Sequence, residues 1–197
     1  MTGAAPSDGL PVLAFADEAA WETWLTAHAK GAGVWLKIAK QGNATPSVTY
    51  AQALDVALCH GWIDGQKRGF DEEWFLQRFT PRRPRSLWSA RNVAHVTRLQ
   101  AAGRIREAGL REIEAARADG RWDAAYAGAS TMAPPPELVA ALGRTAGAQA
   151  AFDALDRSNR YAVCFRVATL KTAAGRERRA QALADLLAAG GRIHDRA

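Results

Sequence analysis

Hydrophobic positions along this chain follow two different periods, and the switch between them divides it. From Asp17 to Lys30, Trp21, Trp24, Leu25 and His28 fall at helical spacing, with acids first and a lysine last to complement the helix dipole. Gly31 and Gly33 stop that run, and "GVWLKIAK" then alternates Val34, Leu36 and Ile38 against Trp35 and Lys37, the period of a strand over 34–39. Thr49 can cap a helix from Tyr50 to Cys59, whose apolar stripe is Ala53, Leu54, Ala57 and Leu58. "GWIDGQK" and "EEWFLQRFT" read as two strands around a turn at Arg68–Asp71. The second strand puts Trp74, Leu76, Arg78 and Thr80 on one face and Phe75, Gln77 and Phe79 on the other. Pro81 and Pro84 end the ladder because proline has no N–H to donate.

After Ser89 the period becomes helical for most of the remaining chain. Val93, Val96 and Leu99 form one stripe closed by Gly103, and Leu110, Ile113 and Ala116 form a second closed by Gly120, which together predict a helical hairpin. "GASTMAPPPEL" interrupts the pattern, since consecutive prolines cannot lie inside a helix. Beyond it, Phe152, Leu155, Tyr161, Cys164, Phe165, Ala168, Ala180, Leu183 and Leu187 recur at helical intervals, with Ser158 and Thr172 as candidate caps. The expected class is α+β: a small antiparallel sheet of about three strands covered by helices, followed by a mainly α-helical C-terminal half. The expected organisation is a loose leader over 1–15, an α+β core with a helical hairpin over 16–127, a Pro-rich linker over 128–137 and a C-terminal helical unit over 138–191.

Composition adds that 197 residues, 48% hydrophobic and 23% charged, suffice for one substantial core or one core with a small appended unit. The formal net charge of +6 suits an anionic partner, and almost all the positive charge is arginine, with lysine only at Lys30, Lys37, Lys40, Lys67 and Lys171. Cys59 and Cys164 each sit in an apolar run and read as buried free thiols. The opening residues lack a signal-peptide pattern, and no run approaches the roughly 18 apolar residues of a membrane-spanning helix, so the expectation is cytoplasmic residence without membrane insertion. Neither zinc spacing nor a dinucleotide, P-loop or hydrolase signature occurs, which predicts no metal and no cofactor.

"VTYAQALDVALCHGWIDGQ", "QRFTPRRPRSLWSARN", "GLREIEAARADGRWDAAY" and "SNRYAVCFRVATLKTAAGRERR" resemble successive blocks of the bacterial YdeI/OmpD-associated, or bacteriocin-protection, family over residues 33 to 190. The resemblance implies a stress or envelope-protection protein and supplies no catalytic residue set.

The densest candidate chemistry is the arginine belt: Arg78, Arg82, Arg83, Arg85, Arg91, Arg98, Arg104, Arg106 and Arg111, with Glu107 the lone acid between Glu73 and Glu112. Guanidinium forks bind phosphates and carboxylates in a bidentate manner, and Trp88 could stack on a base. Arg78, Arg82, Arg83, Arg85, Trp88 and Lys171 are therefore the candidate ligand-binding residues, set against internal salt bridges as the alternative. Asp64, between two glycines on a strand, could orient Arg78 across the hairpin or serve as a general base. Three functions compete. The first is a non-enzymatic protein binding nucleic acid or another polyanion through Arg82, Arg83, Arg85 and Trp88. The second is an enzyme on a small anionic substrate with Asp64 as acid or base and Arg78 and Arg82 as clamps. The third is a protein-interaction module presenting Trp21, Trp24 or Trp35, with a homodimer open if those tryptophans are exposed.

Overall fold

In the computed structural model, which describes residues 6–194, local sequence signals are realised as definite caps and turns. The elements are β1 (Val12–Ala14), α1 (Glu18–Ala27), β2 (Val34–Ala39), α2 (Tyr50–Cys59), β3 (Trp62–Gly69), β4 (Trp74–Pro81), α3 (Ala90–Ala101), α4 (Glu107–Ala118), α5 (Pro136–Arg144), α6 (Ala148–Asp153), α7 (Arg157–Ala168) and α8 (Ala173–Ala188). Asp17 accepts from the Ala20 N–H at 2.8 Å to start α1. Thr49 and Gln52 form a reciprocal capping box at α2, satisfying donors the first turn would otherwise leave bare. No helix among the described residues is long and apolar enough to cross a membrane.

The expected α+β class is present, with one more strand than the alternation indicated. The four-stranded sheet has order β1-β2-β4-β3, and β1 joins β2 in parallel while the other pairs are antiparallel. β1 lies in the stretch expected as a loose leader; residues 1–5 of that stretch lie outside the described residues. With three residues, β1 is too short to show an alternation, and its pairing with β2 makes it a strand.

The register assigns the two faces. Val34 pairs with Phe79, Leu36 with Gln77 and Ile38 with Phe75, so these side chains share one face. Trp21 of α1 lies against that face, its ring 5.6 Å from Phe79, and its Nε1 donates to the Ala53 carbonyl at 3.1 Å. The opposite face carries Trp35, Lys37, Leu76 and Arg78. There Trp35 Nε1 donates to Asp8 at 3.0 Å, the Arg68 guanidinium lies 6.0 Å from the Trp35 ring, and Lys37 Nζ lies 4.6 Å from the Trp74 ring. Long cationic stems thus cover aromatic surface while their heads reach water. Trp21 and Trp35 are buried and Trp24 is half-buried, so the exposed tryptophan patch required by the interaction-module reading does not form.

The chain divides into two compact units. The first comprises residues through Trp88 and Asn92–Ala124, and the second Ser89–Arg91 with the residues from Ala125 onward. In the second, α5 to α8 bury Leu138, Leu142, Phe152, Val163, Val167, Leu183 and Leu187 together, and Met132 of the Pro-rich segment packs on that core. Asp156, not Ser158, caps α7, accepting from the Asn159 N–H at 2.8 Å, while Thr172 caps α8 as expected. Asn159 is 2% exposed and fully engaged: its Oδ1 accepts from the Ile193 and His194 N–H groups, and its Nδ2 donates to His194 O and to Asp156. Arg176 of α8 pairs with Glu137 of α5 at 2.6 Å.

In the first unit, α2 and α4 meet backbone to backbone. A Cβ at Gly109 would lie 2.3 Å from the Cys59 carbonyl oxygen, and one at Gly61, where φ is +75°, would lie 2.9 Å from the Ala108 carbonyl oxygen. Gly109→Ala is therefore expected to lower stability by about 1–3 kcal/mol, because the obstacle is backbone and cannot turn aside. A urea unfolding series reads this as a fall in midpoint with unchanged slope.

Candidate functional site

Beyond β4 the chain turns through Pro81 to Trp88, and its sequence dictates a stiff path. The Arg82 N–H donates to the Gly61 carbonyl at 2.9 Å, and the Ser86 N–H to the Arg83 carbonyl at 3.0 Å. The Arg82 side chain folds inward, only 7% of the residue being exposed. Its guanidinium stacks 3.7 Å over the Trp88 ring and donates to Ser86 Oγ and to the Leu87 carbonyl. Trp88, 2% exposed, also packs on Trp122 at 5.1 Å. From beneath, Arg121 donates to the Ser86 carbonyl at 2.9 Å while Asp119 holds its guanidinium. Arg82 and Trp88, expected to face a ligand, are instead buried partners that brace the loop.

Arg83 and Arg85 remain exposed at the tip. Their side chains make no hydrogen bond, ion pair or ring contact with other described residues. Arg85 has φ +62°, the only positive value at a non-glycine position among the described residues. An L-residue there carries strain of about 1–3 kcal/mol, since its Cβ crowds the backbone.

Most of the remaining arginine belt is committed to internal pairs in the first unit. Arg98 and His95 both contact Asp55, at 2.6 and 2.9 Å; Arg106 and His60 both contact Glu22, at 2.6 and 3.4 Å; Arg104 pairs with Glu18; and Arg111 pairs with Glu107 at 2.6 Å. The Arg106 hydrogen bond holds the Glu22 carboxyl below its ordinary range. Burial pushes the Asp55 carboxyl up, but the Arg98 and His95 bonds outweigh it and the net direction is down. Burial raises the Cys59 thiol to about 11, so it is not a ready nucleophile, and both cysteines are free and buried. Among the described residues no group of three or more His, Cys, Asp or Glu could hold a metal ion.

Asp64 sits elsewhere, in a cavity of about 390 Å³ lined by Tyr50, Asp64, Gly65, Lys67, Phe75 and Gln77. Its Oδ2 accepts from the Tyr50 hydroxyl at 2.7 Å. Asp64 pairs in register with Phe79, one position from Arg78, so the two side chains leave opposite faces of the sheet. Arg78 instead meets Asp8 at 3.6 Å, and neither it nor Arg82 lines the cavity. The expected clamps around Asp64 are therefore absent, and Tyr50, Lys67 and Gln77 stand in their place. Nothing local in the sequence marks those three, because Tyr50 comes from α2, Gln77 from β4, and Lys67 from β3 just past a register irregularity that begins at Asp64. Lys171 is exposed in the second unit, just before α8.

Two family models match the chain. One, described as Domain of unknown function (DUF8412), matches residues 13–112, just over half of the chain. The other, described as Bacteriocin-protection, YdeI or OmpD-Associated, matches residues 131–190. The second supports the family resemblance drawn from the sequence, and its span includes the block beginning at Ser158. No curated protein and no solved structure matches the chain.

The ion pairs set an acid limit on stability. Glu22 titrates in the folded protein below its ordinary 4.5, and Asp55 below its ordinary 3.8, so their contribution is present above those values and is lost as pH falls through the lower folded ones. Thermal melting of the wild type is expected to weaken progressively below about pH 4.5, and Glu22→Gln is expected to flatten that limb. An unchanged acid limb in the variant would remove Glu22 from the account.

Proposed function

Because the chain belongs to the family described as Domain of unknown function (DUF8412) and its second unit carries the Bacteriocin-protection, YdeI or OmpD-Associated match, we propose a non-enzymatic, cytoplasmic bacterial stress or envelope-protection protein that binds an anionic partner through Arg83 and Arg85. The observation that supports this is Arg85: a strained backbone holds in solvent a cation that has no partner among the described residues. Strain of this kind clusters where a side chain is presented for use. Arg82, Trp88, Ser86 and Arg121 keep the loop from relaxing, so the two guanidinium groups meet a phosphate or carboxylate without first being ordered. Guanidinium suits this role because its planar fork matches such oxyanions. Nucleic acid and other polyanions carry these groups at high density and would also respond to the +6 net charge.

Binding of the full chain to a labelled random duplex and to single-stranded oligonucleotides, followed from low to physiological salt, tests the proposal. Affinity is expected to fall steeply with salt, and Arg83→Glu with Arg85→Glu to abolish it. Arg85→Gly separates binding from folding. It relieves the positive φ and is expected to raise stability by up to about 1 kcal/mol while weakening binding and lowering the salt slope by about one. Absence of binding by the wild type at low salt would overturn the proposal.

A further inference from the structure

The cavity around Asp64 presents acceptors that no described residue engages. Gln77 is 4% exposed, and its amide nitrogen donates to the Gly65 carbonyl at 2.8 Å and the Gln66 carbonyl at 3.2 Å. Two carbonyls can be met only by the NH₂ end, which fixes the orientation of the amide. The Gln77 Oε1 then has no donor among the described residues, although the side chain is nearly completely buried and lines the cavity. An acceptor that no protein donor engages, on a cavity wall, is free to take a hydrogen bond from a ligand or water.

A second acceptor lies on the same sheet face. Asp64 shares its face with Phe79 across the β3–β4 pair, as Lys67 does with Gln77. Its Oδ2 is engaged by Tyr50, and its Oδ1 has no donor among the described residues. The Phe75 ring provides an aromatic wall, and the exposed Lys67 holds its Nζ 4.2 Å from that ring's centroid. The wall thus offers acceptors inside, an aromatic surface beside them and a cation at the rim. A complementary molecule is flat, carries adjacent N–H donors on one edge and bears an anionic group on the other. The volume of about 390 Å³ lies in the range of ordinary small-molecule sites.

We infer that this cavity binds a small amino-substituted heterocycle with an anionic tail, of the chemical class of a guanine mononucleotide, its donor edge on Asp64 and Gln77 and its anion on Lys67. This site is separate in its residues from the arginine loop. Calorimetric titration of the full chain with guanosine monophosphate, inosine monophosphate and guanosine tests it. Guanosine monophosphate is expected to bind saturably, and inosine monophosphate, lacking the exocyclic amine, about tenfold more weakly. Asp64→Asn, which still accepts from Tyr50, is expected to weaken guanosine monophosphate by about tenfold or more and to narrow that discrimination. Lys67→Met is expected to weaken the monophosphate and leave guanosine unchanged, and it provides the decisive variant should Asp64→Asn fail to fold. Lack of saturable binding by guanosine monophosphate at millimolar concentration, equal affinity for both monophosphates, or a Lys67→Met loss shared by guanosine would each overturn the assignment.

Discussion

The first unit depends on one backbone contact between the end of α2 and the start of α4. The Cys59 carbonyl, among the last of α2 and without an intrahelical partner, accepts from the Arg106 N–H at 3.0 Å, at the residue preceding the first turn of α4. The negative end of one helix macrodipole thereby meets the positive end of another. So close an approach requires the absence of side chains at Gly61 and Gly109. Once it is made, Arg104 and Arg106 fall within reach of Glu18 and Glu22 on α1, and Arg98 and His95 on α3 reach Asp55 on α2. The salt bridges are consequences of the helix placement. Several are half-exposed, where such pairs contribute little individually.

This dependence explains how much of the molecule was legible in the sequence. Local signals carried through: Thr49 started α2, Thr172 started α8, and proline ended β4. The alternation in 74–80 assigned the two faces of β4 correctly, because a strand's period is a property of its own backbone. Reading Asp64 against Arg78 failed for a related reason: partners across a hairpin depend on register, and a shift of one position reverses the face. Ser158 yielded to Asp156 within a single turn, where the competing caps are chemically equivalent.

The arginines show the deeper limit. Nine of them in one stretch gave a single compositional signal, yet the fold sends seven of them to three different fates. Arg98, Arg104, Arg106 and Arg111 meet acids, of which three lie on α1 or α2, far away in sequence. Arg82 is buried against an indole. Arg83 and Arg85 are left at the surface although they lie within three residues of Arg82. Neighbours in sequence have different fates because burial is decided by what packs from elsewhere, here Trp122 and Arg121 beneath the loop. The tip cations are exposed because the inner position is already filled.

Polar groups on an exposed tip and in a cavity place the first unit's proposed sites in two electrostatic regimes with different physics. At the tip, charges act through water, so their reach is set by the Debye length, about 8 Å at physiological ionic strength, and shortens with added salt. In the Asp64 cavity, Gln77 is buried and the Tyr50-bonded carboxylate half-buried, and hydrogen bonds made there are specific in direction and less exposed to screening. Lys67 belongs to both regimes, a charge at the rim of a partly dehydrated wall. Ionic strength therefore acts on the two regions unequally. On the proposed function the tip would govern how readily a polyanion is drawn to the protein, whereas a ligand of the cavity would be selected by its donor pattern, and salt is the variable that would separate them.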